Sequence, residues 1–244
     1  MRHIVVIPER YRLGDTISFK VRRVASLACD RLTVCCPVAW RFLYPTATDF
    51  VDVSEVLDGW GEREIVRGLK RQFPNAEFLK INWSIPAKHD LDVSPKIKHE
   101  GSYDVLIAPR GKATSSPHRN WDGWTSLVAR LTKANLNVLA AGREDMSSDC
   151  GLPLISSLDK IAAAMLKSRF VLSTDSGLAH LAILLKIPLI LLWGDELGVI
   201  PGQSYKQGCH ARMESQKRAP IHHIIGAWSN HDFAIEESLK IIQQ

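Results

Sequence analysis

The stretch F-V-L-S-T-D-S-G-L-A-H-L-A-I-L-L-K-I-P-L-I-L-L-W-G, Phe170 to Gly194, decides the fold. It opens on an apolar run that ends in Ser173 and breaks at the polar turn Thr174–Asp175–Ser176–Gly177. A helical pattern follows, Leu178 to Lys186, and then a second apolar run, Leu189 to Trp193. Two short buried strands joined by a helix imply a parallel pair with a crossover. The turn then lies at the C-terminal edge of a strand, where open α/β sheets bind ligands, and it offers backbone N–H groups and the positive end of a helix. Gly177 lets the backbone approach a phosphate closely. Ser176 adds a hydroxyl donor, and His180, four residues on, falls on the same side of the first turn. The same residues also suit a plain helix start capped by Asp175 or Ser176, with His180 half-buried at the surface.

Working outward, strand and helix patterns alternate along most of the chain. Ile4 to Ile7 reads as a buried parallel strand, followed by a loop with Gly14 and Asp15. A helix is predicted through Ile17, Val21, Val24, Leu27 and Ala28. Strands are predicted at Leu32–Cys36, Phe50–Val53 and Phe78–Trp83, with a helix over Glu62–Phe73. Ile85 to Ser102, with Pro86, Pro95 and Gly101 and no period, reads as a linker. Beyond it, strands are predicted at Val105–Ala108 and Asn137–Ala141, and helices over Trp121–Lys133 (capped by Asn120) and Leu158–Lys167. Asp232 is expected to cap a last helix, Phe233–Ile242, with Phe233, Leu239 and Ile242 on its apolar side. The fold class is therefore α/β, two Rossmann-like parallel-sheet domains facing a cleft. The expected divisions are 1–90, 103–230, and a helix in 231–244 packing back on the first domain.

Bulk properties set the limits. With 244 residues, 45% hydrophobic and 23% charged, the chain can bury a full core and is not disordered. A net charge of +5, scattered without a basic run, favours anionic ligands such as phosphates and gives little support to nucleic acid. Five cysteines without a C-x-x-C read as buried reduced thiols, with Cys35 and Cys36 on opposite faces of a strand. Ile4–Ile7 is too short for a signal-peptide core and no stretch is long enough to span a membrane. The expectation is a cytoplasmic protein, with peripheral contact at the inner membrane face left open.

The chain resembles glycosyltransferase family 9, the heptosyltransferase-like enzymes of GT-B fold. D-S-G-L-A-H, Asp175 to His180, is similar to that family's D-[TS]-G-x-x-H after a strand, with the helix and the strand ending in Gly194 following in order. Arg119–Asn120–Trp121 and Trp124 resemble its basic-x-Trp-Pro segment, with Asp122 in place of proline. Gly142–Arg143–Glu144 is similar to its Gly-x-Glu, and Leu13–Gly14–Asp15 to its (L/M)-G-D after strand one. The resemblance implies an inverting, metal-independent transfer of a sugar from a nucleotide-diphosphate sugar to the hydroxyl of a glycan or lipid-linked acceptor. No cofactor is implied. It implies Asp15 as general base, with Gly14 in the acceptor-side loop. Lys112, Arg119, Ser176 and Gly177 would serve the diphosphate, Glu144 and Asp175 the nucleoside or donor, and His180 the phosphate or the loop itself. The N-terminal domain is shorter than the family's.

Chemistry supports each role beside a simpler one. Asp15 can take a proton from a hydroxyl, or cap a helix. Lys112 and Arg119 can neutralise a departing diphosphate, or belong to a solvated loop. Glu144 can bond ribose hydroxyls, or be a surface carboxylate. Arg110, Arg143, Asp195 and Glu196 are weaker candidates. A non-catalytic nucleotide or nucleotide-sugar binding module is the alternative function, and a nucleotide-sugar epimerase a third. Asp90–Leu91–Asp92 spells DxD but sits in the linker rather than after a strand. His222–His223 reads as an exposed pair with no carboxylate at ligand spacing. Gly14 belongs to no G-x-G-x-x-G, and Trp60, Trp83 and Trp193 suit a core or interface.

Overall fold

A computed structural model describes residues 1–7, 16–53, 62–81, 85, 87–88, 91–95, 98–109, 121–142, 150–194 and 213–244. It contains two compact units, Met1–Ser94 and Pro95–Gln244, each built on its own parallel sheet. The boundary falls inside the segment read as a linker.

The first unit carries β1 (His3–Ile7), β2 (Arg31–Cys35), β3 (Asp49–Val51) and β4 (Glu77–Lys80) in the order β3-β2-β1-β4, every pair parallel. β1 is apolar without alternation because both its faces are covered. Val5, Ile7, Cys35, Val53 and Leu69 form one core cluster, against which Val66 of the Glu62–Gln72 helix, Phe73 just past its end and Phe78 of β4 pack. Burial pushes the thiols of Cys35 and Cys36 up to about 12, so both stay protonated. After β1 the helix is shorter than its apolar period suggested. A π-helical turn, Thr16–Val21, runs into one α-helical turn, Arg22–Val24, and Leu27 and Ala28 lie past its end. Ser26 explains the stop: its hydroxyl and its N–H both donate to the Arg23 carbonyl, closing the turn tighter than an α-helix allows.

The second unit carries β5 (Tyr103–Ala108), β6 (Val138–Ala141), β7 (Leu154–Ile155), β8 (Ser168–Ser173), β9 (Leu189–Leu192) and β10 (Ile221–Ile224). The order is β10-β9-β8-β5-β6-β7, all parallel. Counted within the unit this is 3-2-1-4-5-6, the doubly wound order of nucleotide-binding sheets, with its switch point between β5 and β8. The edge strands β7 and β10 were not foreseen. β7 is two residues long, and the two histidines inside β10 hide its apolar character.

Two helix starts differ from expectation. The helix that follows β5 in the chain begins at Trp124 (Trp124–Lys133), with Gly123 at its N-cap position, so Trp121 precedes it and Asn120 lies outside the described residues. The Trp121 indole folds over Gly123 and donates to the Ala227 carbonyl at 2.7 Å. The last helix, His231–Gln243, is capped by Asn230, whose side chain accepts from the Phe233 N–H, and not by Asp232. Its buried face is Ala234, Ile235, Ser238 and Ile242, while Phe233 is 46% exposed. This helix belongs to the second unit. There Ala234, Ile235 and Ile242 join the core of Trp121, Trp124, Leu127 and Leu131.

A Cβ at position 123 would stand 2.3 Å from the Trp121 ring. Gly123→Ala is therefore expected to lower stability by about 1–3 kcal/mol through overpacking. Thermal unfolding checks this, and an unchanged midpoint would show that the ring does not sit over Gly123.

Candidate functional site

The Thr174–Gly177 turn follows β8, at the side of the sheet switch point where ligands are expected to bind. Ala108 and Ser173 are paired in register, so β5 and β8 end level with each other. The next helix, Gly177–Leu184, packs on β8 and β9 and on the Leu158–Met165 helix. Every residue from Leu178 to Leu184 is buried, which explains why its sequence is apolar all round.

Hydroxyls hold the turn. Ser176 occupies the N-cap position in extended geometry, and its Oγ accepts from the Ala179 N–H at 3.3 Å. Ser176 Oγ lies 3.0 Å from Ser173 Oγ, which lies 3.0 Å from the Ala108 carbonyl of β5. One proton order uses both hydroxyls: Ala179 N–H to Ser176, Ser176 O–H to Ser173, Ser173 O–H to Ala108. In this order the Ser176 proton is used inside the turn. The N–H groups of Gly177 and Leu178, at the first two helical positions, have no carbonyl within the helix to reach, and they carry the positive end of the dipole.

Asp175 and His180 are also buried, at 8% and 6% exposure, and His180 Nε2 lies 3.9 Å from Asp175 Oδ1. The two flank one helical turn, as their spacing of five suggests. The structure thus brings together Asp175, Ser176, Gly177 and His180. Gly14, Asp15, Lys112, Arg119 and Glu144 lie outside the described residues, as do Arg110, Arg143, Asp195, Glu196 and Asp90. In the chain, Gly14 and Asp15 fall between β1 and the Thr16 turn, Lys112 and Arg119 follow β5, and Glu144 follows β6. Each therefore belongs to a connection that begins at the C-terminal end of a parallel strand.

A second polar cluster was not legible in sequence. His223 in β10 is 14% exposed at its side chain, contrary to the reading of an exposed pair without a carboxylate. Its Nε2 lies 2.8 Å from Glu214 Oε1, and its Nδ1 accepts from the Trp193 indole N–H at 2.8 Å. With Nδ1 accepting, the ring proton sits on Nε2 and is donated to Glu214. Trp193 is buried at 2% exposure, as its core reading required. Lys217 pairs with the other oxygen of Glu214. The partnership joins residues nine and thirty apart through the β9–β10 pairing, a relation no local spacing announces. Burial pushes the Glu214 carboxyl up, but the bonds from Lys217 and His223 outweigh it and hold it below its ordinary value.

Ser176→Ala should cost about 1 kcal/mol by removing the cap and the hydroxyl relay, or about 2–4 °C in Tm. An unaltered Tm would show that the turn does not depend on the relay. For Glu214, whose folded value is depressed, the stabilisation is complete above the unfolded carboxyl value of about 4.3 and is lost as pH falls through the lower folded value. Glu214→Gln should therefore show a shallower loss of stability below about pH 4.3 than the parent chain. The same acid limb in both proteins would remove the proposed ion-pair origin.

No protein-family model matches the chain, and no curated protein matches its sequence. Solved structures do match over nearly its whole length. They include the E. coli ADP-heptose LPS heptosyltransferase II, with TM-score 0.63 and 12% identity over 99% of both chains. A glycosyl transferase of family 9 from Veillonella parvula matches with TM-score 0.59 and 13% identity, over 98% of this chain and 89% of that one. The E. coli heptosyltransferase WaaC with ADP matches with TM-score 0.58 and 12% identity, over 100% and 99%. Two parallel sheets, each with helical crossovers, thus give this chain the fold of the family 9 heptosyltransferases, the resemblance its D-S-G-L-A-H motif carries.

Proposed function

We propose that the protein is a glycosyltransferase that moves a sugar from a nucleotide-diphosphate sugar to a hydroxyl of a glycan or lipid-linked acceptor. The observation that carries this reading is the Ser173–Gly177 turn: a hydroxyl-anchored helix start at the switch point of a doubly wound sheet. An anion is stabilised there by backbone N–H groups and the helix dipole without any bound ion. The likeness in fold to heptosyltransferases, one of them described with ADP, supports the same reading.

In this mechanism Asp15, following Gly14, takes the proton of the acceptor hydroxyl as the oxygen attacks the anomeric carbon, with inversion. The bond from that carbon to the diphosphate breaks, and the departing charge is taken up by Lys112, Arg119 and the Gly177–Leu178 helix start. Ser176 holds that start in place. Glu144 and Asp175 orient the nucleoside or donor, and His180 contacts the phosphate or braces Asp175. The chemistry calls on no cofactor and no metal. The protein acts in the cytoplasm, with peripheral contact at the inner membrane face. Among the described residues no helix is long and apolar enough to cross a membrane.

Calorimetry over nucleoside diphosphates and nucleotide sugars should give saturable binding, weakened at least tenfold by Arg119→Ala, about the value of one charge-assisted hydrogen bond. Absence of binding across the panel would sink the site. Asp15→Ala should keep donor binding and lower transfer by about 10²–10⁴-fold, the usual contribution of a general base. Full transfer by this variant would remove Asp15 from the mechanism. Binding without transfer by the parent chain would favour the non-catalytic nucleotide-sugar module.

A further inference from the structure

We propose that Thr174 is a further donor-binding residue, its hydroxyl bonding a diphosphate oxygen of the nucleotide; this rests on the reading of the Ser173–Gly177 turn as the nucleotide-diphosphate grip. The turn spends its other hydroxyls on itself. Ser173 Oγ reaches the carbonyls of Ala108 and Thr174, and Ser176 Oγ accepts from the Ala179 N–H and meets Ser173 Oγ. Thr174 gives its carbonyl to this arrangement, but its hydroxyl takes no part in it. The residue is fully buried, and among the described residues its Oγ1 is the one buried hydroxyl oxygen that no hydrogen bond reaches.

A hydroxyl shut away from water without a partner destabilises the fold that holds it. Valine has the same β-branched shape and would carry no such cost. Trp124 Nε1 and Arg41 Nε are also buried without a hydrogen bond, but each side chain has an aromatic ring against it. Trp124 packs edge-to-face with Trp121 at 5.1 Å, and the Arg41 guanidinium lies over the Phe50 ring. Thr174 is set apart by its place. Ala108 and Ser173 pair in register as the last residues of β5 and β8. Thr174 is therefore the first residue beyond the paired strands, where the crevice opens at the switch point. Two residues on, Ser176 caps the helix whose first N–H groups, those of Gly177 and Leu178, have no carbonyl within the helix to reach. These N–H groups and the Thr174 hydroxyl need the same thing, an acceptor. A diphosphate supplies several, all of them charged, and bonds to charged acceptors are the strong ones. Threonine at this position thus weakens the free fold and strengthens the grip on the ligand.

The test uses the whole chain and two substitutions. Thr174→Val removes the hydroxyl and keeps the branched shape, and Thr174→Ser keeps the hydroxyl. Calorimetry with ADP, GDP, CDP, UDP and dTDP identifies the diphosphate that the parent chain binds best. Thr174→Val should bind that diphosphate at least tenfold more weakly, the loss of one hydrogen bond to a charged group, and Thr174→Ser within about threefold of the parent. Without nucleotide, the melting midpoint of Thr174→Val should rise by about 2–4 °C. The opposite signs separate a ligand contact from a structural one. A hydroxyl bonded inside the protein, to another residue or to an ordered water, would give a lower midpoint when removed. Undiminished affinity in Thr174→Val, or weaker affinity together with a lower midpoint, overturns the assignment. A parent chain that binds none of the five diphosphates removes the glycosyltransferase reading and this assignment with it, whereas full binding by Thr174→Val removes Thr174 alone.

Discussion

The Ser173 hydroxyl lies 3.0 Å from the carbonyl of Ala108, joining β8 to β5 at the place where the second sheet reverses its winding order. Most of what the site can do depends on this link. Crossovers run away from a switch point in both directions, so the strand ends there are left uncovered. Ala108 and Ser173 pair in register, and the turn after β8 emerges level with the chain leaving β5. Because Ser173 is fully buried, its hydroxyl must find partners within the protein: the carbonyls of Ala108 and Thr174 lie within reach, and the Ser176 hydroxyl links it on to the helix start. In the proposed transfer, the N–H groups of Gly177 and Leu178 would meet the departing diphosphate with little reorganisation.

The first unit repeats the plan in shorter form. Its order β3-β2-β1-β4 is the beginning of the second sheet's order, with a switch point between β1 and β4. Gly14 and Asp15 belong to the connection that starts at the end of β1. One architectural rule, a parallel strand followed by a crossover, thus governs both sheets, and in chain order the candidate groups follow β1, β5, β6 and β8.

The far side of the second sheet shows a different use of buried polarity. Trp193, His223, Glu214 and Lys217 form a chain of bonds from the end of β9 to the segment 213–217. Each group depends on the next. Trp193 needs an acceptor for its buried N–H, His223 supplies it only as the Nε2–H tautomer, and Glu214 receives that proton while Lys217 balances its charge. Such a chain fixes geometry more than it adds stability, since an imperfect member would leave a buried group unsatisfied.

The central strands and the Phe170–Gly194 unit were legible because a strand buried on both faces has to be apolar throughout, and Gly and polar residues must mark its turns. Local sequence thus determined the α/β class, the alternation, and the turn that starts a helix at Gly177. It did not determine the edge strands of the second sheet, β7 and β10, which have only one neighbour each and little need for an apolar run. Nor did it determine two other helix starts: Gly123 stands before a helix because the Trp121 ring leaves no space for a side chain, and Asn230 outcompetes Asp232 because its non-helical backbone (φ −143°, ψ 87°) lets its side chain accept from the Phe233 N–H. The sheet order, the Ser173–Ala108 link and the Glu214–His223–Trp193 chain were decided only in three dimensions. Each joins residues far apart in the chain, and a hydrogen bond's partner is chosen by proximity in space, which parallel pairing sets and sequence distance does not.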